Sequence, residues 1–274
     1  MIPAQSQQGE STTNPLTERD GFSVRPTQMT LSVVMAVYNE RAFIEEILRR
    51  IQAVGLEEEI VVVEDGSKDG TRELLQELQR QQAAGLVEGE ILGGRAKLRL
   101  DKIRFLFQEK NQGKGAALRR GFAEALGDIL LVQDADLEYD PKDYSKMLEP
   151  ILDGRADIVY GSRFLGGPQR VHFFWHYVGN KFLTLLSDML TNLKLTDIET
   201  CYKVFRREVL EKINLRSDRF GFEPEITAKI AKGKWRIYEV PISYAGRSYE
   251  EGKKITWKDG VVTLIAILRF HFSD

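Results

Sequence analysis

Short apolar runs alternate along the first half of the chain with segments of helical periodicity. The apolar runs predict strands at residues 31–37, 60–63, 103–107, 129–132 and 158–160. Helices are predicted between them, at residues 40–54 and 115–125. Strands that are apolar at almost every position belong in the middle of a parallel sheet with helices on both faces. The pattern therefore predicts an α/β fold, a mostly parallel sheet flanked by helices.

Beyond Gly161 the regular alternation ends. The pattern there predicts an aromatic segment and further elements at residues 171–193, 207–213, 222–232 and 237–240. Residues 83–102, with mixed charge and four glycines, predict a loop insertion. Residues 1–28, rich in Ser, Thr, Gln and Pro, predict a disordered leader. We expect a single domain at residues 29–259, followed by an amphipathic, apolar segment at residues 260–274.

Composition and charge narrow the classes of protein and partner. A formal net charge of −2 gives no general attraction to polyanions, so nucleic acid is not an expected partner. One cysteine excludes an internal disulfide and, with three histidines, a zinc cluster. No apolar run approaches the roughly 20 residues that span a bilayer, and the chain begins without the pattern of a secretory signal. We therefore expect a cytoplasmic protein.

Polar residues follow four of the predicted strands at the points where those strands end. These segments are residues 38–40, 64–70, 111–115 and 133–136. In open parallel sheets, ligands bind beyond the carboxyl ends of the strands. We therefore expect the functional site where these four segments meet.

Asp134 and Asp136 are separated by one residue at the end of the fourth predicted strand. Two carboxylates this close repel each other unless a cation lies between them. Mg²⁺ and Mn²⁺ accept oxygen ligands and also bind diphosphate oxygens, so the pair indicates a metal that holds a phosphate-bearing ligand. The alternative is that one aspartate caps the following helix while the other is merely exposed.

Asp65 and Lys114 are further candidates at strand ends. Gly66 allows a sharp turn after Asp65, so that a planar base could approach the backbone. The alternative is a plain turn that caps the next helix. Lys114 lies between two glycines in a segment that resembles a phosphate loop but lacks its spacing. Lys114 is thus a candidate partner for phosphate or carboxylate, or else a solvated residue at a helix start.

Cationic side chains occur in the less regular second half. Arg163 follows the fifth predicted strand, and Arg247 and Lys253 lie in a glycine-containing stretch near the end. Arginine holds phosphate oxygens in a fork, and cations stabilise the charge that develops on a diphosphate leaving group. Any one of these side chains could simply be solvated, but together they favour a phosphate site.

Five motifs occur in a fixed order between about residues 31 and 259. They are VMAVYNE at 34–40, VEDGSKDGT at 63–71, NQGKG at 111–115, QDAD at 133–136 and GSR at 161–163. Together they resemble the family-2 glycosyltransferases, and within them the dolichyl-phosphate mannose synthase and polyprenyl-phosphate glycosyltransferase branch. The resemblance implies the A-type glycosyltransferase fold with a C-terminal acceptor-side extension. It also implies transfer from a nucleoside diphosphate-sugar with inversion, assisted by Mg²⁺ or Mn²⁺.

The resemblance also implies roles for single residues. Binding of the nucleotide base and ribose falls to Ala36, Tyr38, Glu40 and Asp65. Metal binding falls to Asp134 and Asp136. Glu138 takes a position that is often Gln in the mannose synthases, and its carboxylate is a plausible third metal ligand. The cations that hold the diphosphate and the acceptor phosphate are matched by Arg163, Arg247 and Lys253.

The acceptor decides which further groups the reaction needs. A polyprenyl phosphate is already ionised near neutral pH, whereas a hydroxyl acceptor requires a carboxylate base. Asp197 and Glu199 occur where inverting relatives place acceptor-site acids. We expect the lipid phosphate as acceptor. The alternatives are a soluble glycosyltransferase with a hydroxyl acceptor, a sugar nucleotidyltransferase, and a nucleotide-sugar binding protein without turnover.

Two apolar segments, residues 173–193 and 261–272, bear on how such a lipid is reached. The first combines a broad apolar face and an aromatic end with nearby cations, which is typical of helices at a membrane interface. Packing of the same face against the sheet is the alternative. We expect at least one segment to make a peripheral contact with the inner leaflet and to lead the lipid phosphate towards Arg247 and Lys253.

Overall fold

A computed structural model of the protein describes residues 29–89, 97–170, 174–219, 221–247 and 257–272. The strands are β1 (Leu31–Val37), β2 (Glu59–Glu64), β3 (Glu88–Gly89), β4 (Leu98–Arg99), β5 (Ile103–Phe107), β6 (Ile129–Asp134), β7 (Ile158–Ser162), β8 (Lys203–Arg206) and β9 (Ile237–Pro241). The α-helices are α1 (Ile44–Val54), α2 (Thr71–Ala83), α3 (Lys114–Glu124), α4 (Tyr144–Leu152), α5 (Phe174–Thr191), α6 (Arg207–Glu211), α7 (Phe222–Lys232) and α8 (Trp257–Phe272). The leader predicted at residues 1–28 lies outside the described residues.

The main sheet has seven strands in the order β5-β2-β1-β6-β8-β7-β9. β1 pairs in parallel with β2 and β6, β2 with β5, and β7 with β9. Among these seven, β8 runs antiparallel to both of its neighbours, β6 and β7. The residues of β1, β2 and β6 are nearly all buried, which is why each strand has a continuous apolar run in its middle instead of alternating apolar and polar positions. The predicted α/β fold with a mostly parallel sheet is confirmed.

Most predicted elements are present, with some shifts at their ends. Three have the predicted bounds: residues 31–37, 103–107 and 222–232. α1 begins at Ile44 and not at residue 40, because the Glu40 carbonyl accepts hydrogen bonds from the amides of Phe43 and Ile44 in a preceding turn. The insertion predicted as a loop contains the short antiparallel pair β3 and β4 and a 3₁₀ turn at Leu100–Lys102. The prediction of a loop without elements was therefore wrong.

The sequence pattern predicts no strand at the position of β8. This strand has the sequence Lys-Val-Phe-Arg, with a charged residue at each end. Lys203 is nevertheless fully buried. Its ammonium donates hydrogen bonds to the carbonyls of Ile198 and Thr200 and lies 4.8 Å from the centroid of the Tyr160 ring. Because a buried charge needs such partners, the local fold satisfies it in a way that hydrophobic periodicity does not reveal.

Helix α3 packs directly on β1 and β2. The close approach depends on Gly121 in the helix. A Cβ atom added there would lie 2.4 Å from a Val34 methyl carbon and 3.2 Å from one of Val63. A glycine in a helix interior costs about 1 kcal/mol relative to alanine. The chain accepts this cost because the absent side chain lets the helix backbone approach the sheet.

Helices α5, α7 and α8 pack on one another in the second half of the chain. The outward faces of α5 and α8 expose large apolar side chains: Phe174, Trp175, Tyr177, Phe182, Leu185 and Met189 on α5, and Val261, Val262, Ile265, Leu268 and Phe272 on α8. Opposite faces of the same helices are buried, as at Thr184 and Phe270. Each helix therefore packs with one face and presents another outward. Of the helices in the described part of the chain, none is long and apolar enough to cross a bilayer.

The packing of α3 leads to a prediction about stability. Gly121→Ala should lower the free energy of unfolding, because overpacking costs about 1–3 kcal/mol while helix propensity returns only about 1 kcal/mol. Gly179→Ala in α5 is the matched control, since an added Cβ there meets nothing within 4 Å. This control should stabilise the protein slightly. Urea unfolding of both variants measures the difference, and equal stabilisation of both would contradict the tight packing of α3.

Candidate active site

The carboxyl ends of the parallel strands β5, β2, β1 and β6 lie along one edge of the sheet, which we call the rim. Tyr38, 38% exposed, follows β1 at this edge. Ala36 is paired with Asp134 in the register of β1 and β6. Asn39 has a left-handed backbone with φ of 53°, which turns the chain from β1 towards α1. Because β8 is antiparallel, its first residue, Lys203, also lies on the rim side.

Asp65 is buried, and its carboxylate accepts four hydrogen bonds. Oδ1 accepts from the side-chain amide of Gln108 at 2.9 Å and the backbone amide of Gln112 at 2.7 Å. Oδ2 accepts from the side-chain amide of Asn111 at 2.9 Å and the backbone amide of Gly113 at 2.8 Å. Burial raises the pKa of Asp65 even with these donors. The carboxylate thus shapes the loop after β5, and a ligand would reach its oxygens only by displacing a side-chain amide.

Lys114, the first residue of α3, bridges two carboxylates at the rim. Its ammonium lies 2.9 Å from Oδ1 of Asp134 and 3.0 Å from Oε1 of Glu223. Burial works against the charged form of Lys114, but Asp134 and Glu223 outweigh it and raise the lysine pKa well above its usual value. Burial likewise favours neutral Asp134, yet Lys114 holds the pKa of that carboxyl below its usual value. Lys114 therefore keeps Asp134 ionised, although the two residues are not neighbours in the sequence.

Arg247 joins three carboxylates at the rim. Its guanidinium lies 2.6 Å from Oδ2 of Asp136, 3.2 Å from Oε1 of Glu138 and 3.5 Å from Oε2 of Glu40. The backbone amide of Arg247 donates to the same oxygen of Glu138, whose other oxygen accepts from the Tyr244 hydroxyl at 2.8 Å. We call Arg247, Glu40, Asp136 and Glu138 the rim cluster. It links the ends of β1 and β6 to a segment more than 100 residues later.

The carboxylate oxygens of the rim cluster suit a divalent cation. In this structure the Arg247 guanidinium lies among them instead. Burial raises the pKa of Asp136 to about 7, aided by repulsion from Asp134 and Glu138 and opposed by Arg247. A carboxyl group in that state lacks sufficient counter-charge, which an oxygen-seeking cation would supply. Among the residues that the structure describes, no three His, Cys, Asp or Glu side chains converge as a ready-made metal site. Asp134, Asp136 and Glu138 would have to reorient to share one ion.

Arg163 and Asp197 form a buried pair beyond the end of β7. Arg163 Nε lies 2.6 Å and Nη2 2.7 Å from the two oxygens of Asp197, and the Arg163 backbone amide donates to the same carboxylate. Burial opposes ionisation of Asp197, but Arg163 prevails and holds the aspartate pKa below its usual value. Asn180 and Lys181 of α5 also contact this region, through Asp197 and the Thr196 carbonyl. The pair therefore couples the rim to the helical layer.

Glu199 lies close to the same edge, and its pKa is shifted in the opposite direction from that of Asp197. Burial, with repulsion from Glu223, raises the pKa of Glu199 to about 8. Its Oε1 atom and the Thr200 hydroxyl are buried without a hydrogen-bond partner in the described structure. A buried polar atom without a partner is costly, so this position suits a bound water or a ligand hydroxyl.

The structure thus gathers most of the predicted residues along one edge. Lys253 lies outside the described residues, so its predicted role stays a prediction. Sequence reasoning missed three residues that complete the site: Glu223, Lys203 and Tyr244. Glu223 was signalled only by acidic residues in the first turn of a predicted helix, a position where they commonly serve the helix dipole. Lys203 and Tyr244 carry no sequence signal of their partners.

Two known proteins are similar to this chain in sequence over most of its length. A polyprenol monophosphomannose synthase from Mycolicibacterium smegmatis is 31% identical over 253 residues, which cover 90% of this chain and 86% of the relative. A dolichol-phosphate mannosyltransferase from Pyrococcus furiosus is 32% identical over 232 residues, 82% of this chain. This chain spans only 59% of the archaeal relative's length.

A solved structure has a similar fold. Glucosyl-3-phosphoglycerate synthase from Mycobacterium tuberculosis, in complex with Mn²⁺, uridine diphosphate and phosphoglyceric acid, superposes with a TM-score of 0.63 at 21% identity. The match covers 89% of this chain and 78% of that protein, and it bears out the predicted single-domain fold. Residues 32–214 match the profile of Glycosyl transferase family 2. The chain therefore belongs to glycosyl transferase family 2 and, as predicted, is a glycosyltransferase.

Proposed function

We propose that this protein transfers a sugar from a nucleoside diphosphate-sugar to a polyprenyl phosphate with the help of Mg²⁺ or Mn²⁺. The observation that carries the proposal is the rim cluster, in which one arginine contacts three carboxylates where the strands end and so leaves part of their negative charge unbalanced. The two relatives at 31% and 32% identity are named for polyprenol and dolichol phosphate products, which supports the lipid acceptor. The Mn²⁺ and uridine diphosphate of the structural neighbour support the metal and the nucleotide.

On the donor side, Asp134, Asp136 and Glu138 would hold the metal, which when bound orients the diphosphate and stabilises the departing nucleotide. Lys114 favours this role because it keeps Asp134 ionised. Arg247 would exchange its carboxylate partners for diphosphate oxygens, since a guanidinium fork binds both kinds of oxygen. Tyr38, Ala36, Glu40 and Asp65 surround the adjoining strand ends, where we place the nucleoside.

On the acceptor side, we assign the lipid phosphate to the neighbourhood of Arg163. Asp197 fixes the guanidinium of Arg163 through two hydrogen bonds, so Asp197 acts as a positioning residue. Lys181 of α5 donates to the Thr196 carbonyl next to this pair. The exposed apolar face of α5 therefore begins close to the proposed phosphate position. A lipid phosphate oxygen is already ionised near neutral pH, so it needs orientation and not a strong base.

A second candidate function, transfer to a hydroxyl, is favoured by one observation. Glu199, with a pKa of about 8, is a stronger base than an ordinary carboxylate and has an unpartnered oxygen. Asp197 does not suit that role, because Arg163 lowers its pKa and occupies both of its oxygens. The two candidate reactions are thus separable by the acceptor used and by the effect of replacing Glu199.

The reaction itself gives the first test. With a short-chain polyprenyl phosphate, Mn²⁺ and a panel of nucleoside diphosphate-sugars, we expect release of free nucleoside diphosphate that a chelator abolishes. Asp136→Asn should lower the rate about 100-fold or more, the scale on which charge-stabilising groups act. Asp153→Asn, in an exposed pair with Arg155, should be silent.

Other products of that assay would contradict the proposal in distinct ways. Release of pyrophosphate would indicate a nucleotidyltransferase, and nucleotide binding without any release would indicate a binding protein. Transfer to alcohols but not to the lipid phosphate, abolished by Glu199→Gln, would establish the second candidate function instead.

The proposed exchange of partners by Arg247 predicts opposite effects of one substitution on metal binding and on nucleotide binding. Arg247→Ala should strengthen Mn²⁺ binding without nucleotide, because the guanidinium no longer neutralises the carboxylates. It should weaken nucleoside diphosphate binding in the presence of Mn²⁺ by about 1.5–3 kcal/mol, the value of a hydrogen bond to a charged group. Isothermal titration calorimetry measures both, with Arg155→Ala as control. A loss of affinity for both ligands would argue against the exchange.

We further propose that α5 and α8 dock on a bilayer through their exposed apolar faces. Phe182→Ser with Leu185→Ser should weaken vesicle binding about 100-fold or more, since each buried apolar side chain contributes about 1.5–3 kcal/mol. The matched control is Leu126→Ser with Leu152→Ser, which replaces two leucines that are also exposed but lie outside α5 and α8. Flotation with vesicles containing phosphatidylglycerol measures the difference. No association even at low salt, together with efficient transfer to a water-soluble acceptor, would exclude membrane docking.

A further inference from the structure

A basic pocket lies at the end of α7 that is remote from the rim. The cavity of about 500 Å³ is lined by Lys212, Lys229, Lys232, Lys234 and Trp235, with Asn214 beside them. Helix α7 carries Glu223 in its first turn, in contact with Lys114 at the rim, and it ends at Lys232. Its 11 residues span about 16 Å, so the pocket is separate from the proposed active site.

Helix stability explains the positions of only two of the four lysines. Lysines in the last turn of a helix interact favourably with its dipole, which accounts for Lys229 and Lys232. Lys212 and Lys234 come from the segments on either side of α7 and have no such reason to be there. No carboxylate lines the cavity, whose lining lies wholly within the described residues. The pocket therefore concentrates positive charge in a chain whose net charge is −2.

Two of the pocket side chains are already fixed in place. Lys229 pairs with Glu225 at 2.9 Å, donates to the Asn214 carbonyl, and is almost fully buried. The Lys212 ammonium lies 5.1 Å from the centroid of the Trp235 ring. Lys232 and Lys234 are exposed, and within the described part of the chain neither forms an ion pair. The pocket thus has a fixed floor and two cations available to an anion.

The position of the pocket indicates which anion it meets. The Lys229 ammonium lies 5.6 Å from the centroid of the Phe270 ring, on the buried side of α8. Phe272, two residues further along α8, is 77% exposed and belongs to the apolar face described above. The pocket is therefore adjacent to the end of a helix that presents apolar side chains outward. An anionic lipid combines the two chemistries found here, because its phosphate suits lysines and its acyl chains suit the apolar face.

We propose that this pocket binds the headgroup phosphate of an anionic phospholipid, at a site distinct from the active site. The inference builds on the proposed docking of α5 and α8 but does not depend on the transfer reaction. A basic residue near an anionic membrane surface strengthens association about fivefold. The pocket would orient the docked protein, because the charge lies at one end of the apolar surface.

Short-chain phosphatidylglycerol, soluble as a monomer, tests the pocket without a membrane. In the Trp175→Phe, Trp257→Phe variant, Trp235 is the last of the three tryptophans and reports on the pocket. We expect a saturable change in its fluorescence with phosphatidylglycerol and a much weaker response to phosphatidylcholine of the same chain length. Adding Lys232→Gln and Lys234→Gln should abolish the change. An equal response to inorganic phosphate would overturn the lipid assignment, and no response would overturn the site.

Vesicles then test whether the pocket acts at a membrane. Lys232→Gln with Lys234→Gln should bind vesicles containing phosphatidylglycerol about 25-fold more weakly, from two fivefold contributions. Binding to phosphatidylcholine vesicles should not change. The control, Arg80→Gln with Lys97→Gln, removes two charges from side chains that are 71% and 70% exposed elsewhere. Equal losses in both variants would overturn the pocket in favour of diffuse attraction. Neither assay contains a sugar donor, so failure of the transfer reaction would leave these outcomes unaffected.

Discussion

Repulsion among carboxylates crowded at one edge of the sheet is the constraint on which the site depends. Parallel strands bring Glu40, Asp134, Asp136 and Glu138 together, and their partial burial makes that repulsion expensive. Lys114 and Arg247 relieve it from two directions, one from the start of α3 and one from near the end of the chain. Burial, with repulsion from Asp134 and Glu138, still raises the pKa of Asp136 to about 7 despite the nearby Arg247. The rim cluster therefore retains unbalanced negative charge that a further cation would offset.

The helical layer is tied to this edge by side chains that are themselves buried. Asp197 receives the Arg163 fork, and its neighbours receive hydrogen bonds from α5. Glu239 of β9 in turn accepts from the backbone amides of Thr196 and Asp197. A shift of α5 would therefore be felt at Arg163. Hydrogen bonds thus connect α5, which carries the apolar face, to the Arg163–Asp197 pair.

The sequence was most informative where the physics is local or periodic. Parallel strands that are covered by helices are mostly apolar, so β1 and β5, whose runs are interrupted only by Ser32 and Arg104, could be predicted to the residue. The position of Asp134 and Asp136 followed from the same logic, since they end such a strand. The partners of these acids could not be predicted, because Arg247 reaches Asp136 across 111 residues and no local pattern encodes that approach. Asp65 shows a different limit. The sequence indicated this residue as a candidate, but not the four hydrogen-bond donors to its carboxylate, which lie on the loop after β5.

The antiparallel strand β8 has a consequence for how this architecture can diversify. β7 ends at the rim and β8 begins there, and the Gly161 amide donates to the Tyr202 carbonyl at 2.8 Å. The intervening residues, including all of α5, therefore leave the sheet and return to it at adjacent points. Such an excursion can change length or composition while both anchoring strands keep their register. The segment that contains α5 could thus be exchanged during evolution while the strands β5, β2, β1 and β6 are inherited unaltered.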